Sequence, residues 1–137
     1  MGLVTAVAWT IAALVGVYLL YYWLSGDGLR RAKVTRFPVA LVFAHPTVAV
    51  SALVCWVGGL VTGNRALAWA SFGGLAVAAL LGFVMFTRWL GAGRHKMGGR
   101  RFPVLAVTLH GLAGVATFAL VLLTASVAGA GPGGSGP

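Results

Sequence analysis

The chain has 137 residues, 60% of them hydrophobic and 8% charged, with a mean hydropathy of +0.98 and a formal charge of +9. That balance leaves too little polar surface for a water-soluble domain and is the composition of a membrane protein. Its single carboxylate side chain, Asp27, excludes paired-carboxylate hydrolysis, an Asp or Glu proton relay and an oxygen-rich cation site.

Four apolar runs, residues 3–24, 39–62, 66–88 and 103–127, are each long enough to cross a hydrocarbon layer of ~30 Å, which takes about 20 helical residues. The expected fold is therefore an all-α membrane protein. Residues 1–128 form four transmembrane helices from two repeated helical hairpins, and residues 129–137 form a tail of Gly, Ala, Pro and Ser with nothing to order it. The first run has no basic residue ahead of it and is longer than the apolar core of a signal peptide, so it is expected to stay in the mature chain.

The positive charge is segregated. Arg30, Arg31, Lys33 and Arg36 follow the first run, and Arg88, Arg94, Lys96, Arg100 and Arg101 lie at or after the end of the third, whereas Arg65 stands alone between the second and third. The positive-inside rule then puts both basic loops in the cytoplasm and both termini outside, with the bacterial inner membrane as the expected location. Anionic lipid headgroups are the natural partners of these loops, at about 1 kcal/mol per basic residue near the surface. A nucleic-acid partner is not expected.

In chain order, the first span closes on Tyr18, Tyr21, Tyr22 and Trp23, read as an aromatic belt at the membrane interface, and Ser25-Gly26-Asp27-Gly28 ends the helix. The second span opens at Pro38, where a helix loses no internal hydrogen bond, and carries Pro46, which removes one in the turn around Phe43 and predicts a local kink. Cys55 is the only cysteine, so it forms no intramolecular disulfide and is read as packing. A tight turn at Thr62-Gly63-Asn64-Arg65 leads into a third span bounded by Trp69 and Trp89, with Gly73, Gly74 and Gly82 as small packing surfaces. The glycine-rich second basic loop, which includes His95, has neither the preceding strand nor the Gly-Lys-Ser/Thr ending of a phosphate loop.

One short pattern occurs twice. Arg36-Phe37-Pro38-Val39 is followed by His45, and Arg101-Phe102-Pro103-Val104 by His110, each histidine seven residues beyond its proline. Two helices per repeat leave both copies in the same orientation, related by a pseudo-twofold axis along the membrane normal. Both histidines then lie at one depth, about 10 Å inside the helix starts at ~1.5 Å per residue, facing each other from diagonal helices ~12–14 Å apart.

Small residues, Ala49 and Ala52 after the first histidine and Ala113, Gly114 and Thr117 after the second, share the histidine faces and clear room for a flat ligand. A single haem b fits that description, with His45 and His110 as ligands of the iron and Arg36 and Arg101 placed for its propionates. Two alternatives stay open at this point: interhelical hydrogen bonding by the histidines, and another ligand such as a quinone or a bare metal ion. Zinc suits the pair less, because two imidazoles are half a tetrahedral site. Met85 is a substitute axial ligand in principle and core packing in the simpler reading.

With its repeated Phe-Pro opening, His45-Pro46 and His110-Gly111, the chain resembles four-helix transmembrane b-type cytochromes and the haem-bearing membrane anchors of respiratory oxidoreductases. It is similar too to a group of four-helix membrane proteins of high-GC actinobacteria. The resemblance implies quinone-linked electron transfer in the cytoplasmic half of the membrane, since a second histidine pair near the outer face is absent. The expected partners are a quinone and other subunits of a respiratory or redox complex, and the chain alone is not expected to be an enzyme. The alternative is a cofactor-free accessory subunit of a larger membrane complex, and a transporter comes third.

Overall fold

The computed structural model describes residues 2–30, 38–91 and 103–129. Four long helices make up the fold: α1 (Gly2–Ser25), α2 (Val39–Thr62), α3 (Arg65–Gly91) and α4 (Val104–Gly129). Each is long and apolar enough to cross a membrane, and the chain is an all-α, four-span membrane protein. Between 11% and 17% of each spanning window is buried, because most side chains point outward, Leu105 and Val61 among them. In lipid that outward apolar surface is satisfied without a protein partner. Gly129, expected in the tail, is the last residue of α4, and residues 130–137 lie outside the described residues.

Local chemistry sets the helix ends. Pro38 and Pro103 stand just ahead of α2 and α4, and their carbonyls accept the first turn's N–H groups, from Leu41 and Val42 at 2.9 and 3.2 Å and from Val107 at 3.1 Å. The α2–α3 hairpin turns on Gly63 and Asn64. Gly63 takes the left-handed conformation (φ 65°), and Asn64 Oδ1 caps α3 by accepting from the N–H groups of Ala66 at 2.9 Å and Leu67 at 3.4 Å. α1 stops where Asp27 adopts φ 60°, after which Gly28 lies flush against Trp23. A β-carbon there would collide with the indole and with the Trp23 carbonyl. α2 continues unbroken as a helix through Pro46, and the carbonyl of Phe43 accepts a bond from the Thr47 hydroxyl at 2.8 Å.

Packing follows the small residues. A β-carbon on Gly74 would lie 3.1 Å from that of Ala52, and one on Gly59 would lie 3.2 Å from the Ala68 nitrogen, so α2 and α3 approach closely along their length. α1 packs on α4, and α4 on α3. The expected close packing of each helix on its sequence neighbour fails for α1 and α2, whose backbones share no such interface. Indoles separate them: Trp9 and Trp56 meet across this side at 5.7 Å, where the equivalent α3–α4 side is closed by Phe72 and Phe118 at 5.1 Å.

Two core layers result. Trp9, Ala52, Trp56, Leu75 and Val121 form one toward the α2–α3 turn, and Trp23, Val42 and Trp89 form the other toward the basic loops, with Leu20, Met85 and Val107 against it. Trp23, expected in the aromatic belt, and Trp89, expected to bound the third span, both pack into the layer at that end of the bundle, 7% and 9% exposed. A large ring gains more by filling the space between helix ends than by lying at the surface. Gly73 faces open space and is not a packing surface, unlike Gly74 and Gly82.

Candidate functional site

Between the two core layers lie the histidines. α2 carries His45 and α4 carries His110, and their rings come together with centroids 5.9 Å apart and planes crossed at 74°. The repeat therefore brings both to one level from diagonal helices, as the spacing predicts. Their side chains, partly buried, cover the distance that the helix axes do not.

Each ring is held by the first helix of the other repeat, α3 for His45 and α1 for His110. His45 Nδ1 lies 2.8 Å from the Ala78 carbonyl oxygen on α3, and His110 Nδ1 lies 2.9 Å from the Ala12 carbonyl oxygen on α1. A carbonyl only accepts, so both Nδ1 atoms carry a proton and donate it, and a neutral ring in this tautomer has its lone pair on Nε2. Those carbonyls are reachable because the residue one turn later has no side chain. Gly82 follows Ala78 and Gly16 follows Ala12, and a β-carbon on either would meet the imidazole Cε1, at 3.1 Å from His45 and 3.0 Å from His110.

The two arrangements are equivalent residue by residue, which exposes a second repeat that the Phe-Pro-His pattern did not reveal. Thr5, Ala12-Ala13-Leu14, Gly16 and Trp23-Leu24 in α1 match Ser71, Ala78-Ala79-Leu80, Gly82 and Trp89-Leu90 in α3. Aligning the sequence against itself with residue 12 on residue 78 finds these positions. The accepting groups are backbone carbonyls, which have no side-chain signature, so the glycines are the visible trace. In the structure the matched pairs have matching burial: Thr5 and Ser71 are fully buried, and Trp23 and Trp89 are both largely buried in the other layer.

Of the small residues expected to line the site, Ala52 and Thr117 are buried in the bundle. Thr117 bonds the Ala113 carbonyl at 2.8 Å, and Gly114 faces open space. Met85 packs against the Trp23, Val42 and Trp89 layer, as core. Cys55 is a free, partly buried thiol. Arg36, Arg101 and His95 lie outside the described residues. Among the described residues no group of three or more His, Cys, Asp or Glu side chains gathers, so the donor set is two imidazoles.

That donor set tests the fit of a metal ion. Two imidazoles bound to opposite sides of one ion, at ~2.0 Å per bond, hold their ring centroids ~6 Å apart. The observed centroid separation is of this size, and a neutral ring anchored through its Nδ1–H has Nε2 free to act as a ligand. The residues present fit an ion that needs two axial protein ligands and takes its remaining ligands from elsewhere. No family model, curated protein or solved structure matches the chain.

Proposed function

We propose that the chain is a small electron-transfer protein or subunit of a bacterial inner membrane, holding one haem b between His45 and His110 and linking a quinone to a redox partner. The observation that carries this reading is the pair of imidazoles 5.9 Å apart, each with Nδ1 engaged by a backbone carbonyl. Such a second-shell bond fixes the tautomer, orients the ring and makes Nε2 a stronger donor. When bound, haem supplies one-electron iron chemistry, and the protein supplies ligation, a dry surround and electrostatics.

This chain's own residues supply those three things. The tryptophan-rich layers on either side keep water from the imidazole level. His45 and His110 would hold the iron between them, and a haem ligated by two protein side chains would supply electron transfer rather than substrate activation. Arg36 and Arg101, each nine residues before its histidine along the repeat, are the proposed partners of the propionates at the cytoplasmic face. Other subunits of a respiratory or redox complex, a quinone and anionic lipids are the proposed partners.

The test is the reduced-minus-oxidised visible spectrum of the detergent-purified protein. Sharp low-spin b-type bands are expected in the parent and lost in His45→Ala and in His110→Ala. A folded parent with no such bands defeats the reading.

One observation favours a second reading. Gly73, Gly111 and Gly114 face open space on α3 and α4, where another subunit's helix can approach closely. On that reading the chain is a cofactor-free accessory subunit of a larger membrane complex, and the histidines only tie α2 to α3 and α4 to α1. A colourless protein that copurifies with a large complex in mild detergent supports it.

A further inference from the structure

Where α1 packs on α4, the pairing leaves a groove on the outer surface of the bundle. Leu14 and Tyr18 lie one turn apart on α1, and Leu105 and Leu109 one turn apart on α4, so each pair forms a ridge along its helix. All four stand outward, from 46% exposed at Leu109 to 82% at Leu105. Val15 and Ala106 are smaller and partly buried, and make the floor. Ridges and floor bound a space of about 310 Å³. The repeat does not reproduce the α4 ridge: with His45 matched to His110, Leu105 and Leu109 fall on Ala40 and Ala44 of α2, whose side chains are too short to form one. The groove also has a direction. Leu105 is the second residue of α4, so the groove reaches the end of the bundle where the basic residues cluster in the sequence.

We propose that the groove between α1 and α4 seats an acyl chain of an anionic glycerophospholipid whose headgroup lies at the basic end. The proposal is independent of what the histidines hold. The lining is aliphatic but for Tyr18, which suits a hydrocarbon chain and offers little to a polar ligand. Tyr18 packs on Tyr22, one turn nearer the end of α1, with ring centroids 6.2 Å apart, and tyrosines at a helix end mark the level of the lipid headgroups. A chain lying along the groove therefore has its polar end where the aromatic ladder leads. Charge selects the headgroup. Arg30, exposed, follows α1 at that end, and most of the other basic residues lie beside the same helix ends in the sequence, with Asp27 the only carboxylate side chain to offset them. An anionic headgroup neutralises part of that field, and a zwitterionic one does not. A second copy of the chain in the groove would instead set two basic ends side by side, like charge against like.

The experiment is native mass spectrometry of the full chain purified in mild detergent, then delipidated and given detergent-solubilised phosphatidylglycerol or phosphatidylcholine. It is repeated on Ala106→Phe, which fills the floor, on Leu105→Ala, which lowers a ridge at a residue too exposed to matter for folding, and on Leu112→Phe, which adds bulk to an exposed position of α4 outside the groove. The parent is expected to carry a phospholipid adduct as purified and to retain phosphatidylglycerol severalfold better than phosphatidylcholine. Retention is expected to fall severalfold in Ala106→Phe and in Leu105→Ala and to stay at the parent level in Leu112→Phe. A parent without bound lipid overturns the proposal, as does equal retention of the two lipids, retention unmoved by both groove variants, or an equal loss in Leu112→Phe. A lipid-free dimer that Ala106→Phe converts to a monomer also overturns it, in favour of a second copy. None of these results bears on the visible spectrum, so the haem reading stands or falls separately.

Discussion

Two buried polar atoms, Ser71 Oγ and Trp56 Nε1, have no hydrogen-bond partner among the described residues. They lie on facing sides of the α2–α3 seam, between the Ala52–Gly74 and Gly59–Ala68 contacts. An orphaned buried hydroxyl costs ~1–3 kcal/mol in lost hydration, and the methyl of alanine has no such need. Ser71→Ala is therefore expected to raise stability by about 1 kcal/mol, measured as a higher unfolding midpoint in detergent. A drop of that size would mean that the hydroxyl has a partner. Its twin Thr5 is bonded and is not expected to gain from the same change. The histidines teach a related lesson at this scale. Their pairing was legible from the Phe-Pro-His repeat, but their anchors were not, since Ala12 and Ala78 contribute carbonyl oxygens, and no residue type advertises a carbonyl.

At the scale of helices, length and hydropathy carried most of the information. The span expected over 39–62 is α2 to the residue, because Pro38 and Gly63 are explicit signals at its two ends. α3 runs to Gly91, beyond the expected end at 88, because Arg88 is carried on a helix that continues to place Trp89 in the core. Neighbour choice was the illegible part. Hydropathy says that four helices exist, and it does not say that glycine-rich faces draw α2 onto α3 while Trp9 and Trp56 hold α1 off α2. The hairpin turn makes the prediction at this level. Gly63→Ala forces a β-carbon into the left-handed region at ~1–2 kcal/mol, and Asn64→Ala removes the cap of α3 at ~1 kcal/mol. Chemical denaturation of the two variants checks both losses, and an unchanged midpoint for Gly63→Ala would contradict the turn geometry.

For the whole molecule, the alternating direction of the spans puts the α2–α3 turn at the opposite end of the bundle from the ends of α1 and α3, where the basic residues cluster in the sequence. We propose from the charge distribution that the basic end is cytoplasmic. Cysteine placed at Asn64 is then expected to react with a membrane-impermeant maleimide added to intact cells, and cysteine placed at Arg30 only after the cells are opened. The opposite pattern inverts the topology. Cys55, within α2, is replaced by alanine in both to leave one thiol.

The reciprocal anchoring of the two rings also sets an order of events during synthesis. His45 finds its carbonyl 33 residues downstream in α3, so both partners of that half of the site exist once the third helix has been made. His110 must reach back 98 residues to α1, the first helix made and the one with no close backbone interface to its sequence neighbour. The α1 half of the site therefore has both partners only when the last helix has been made.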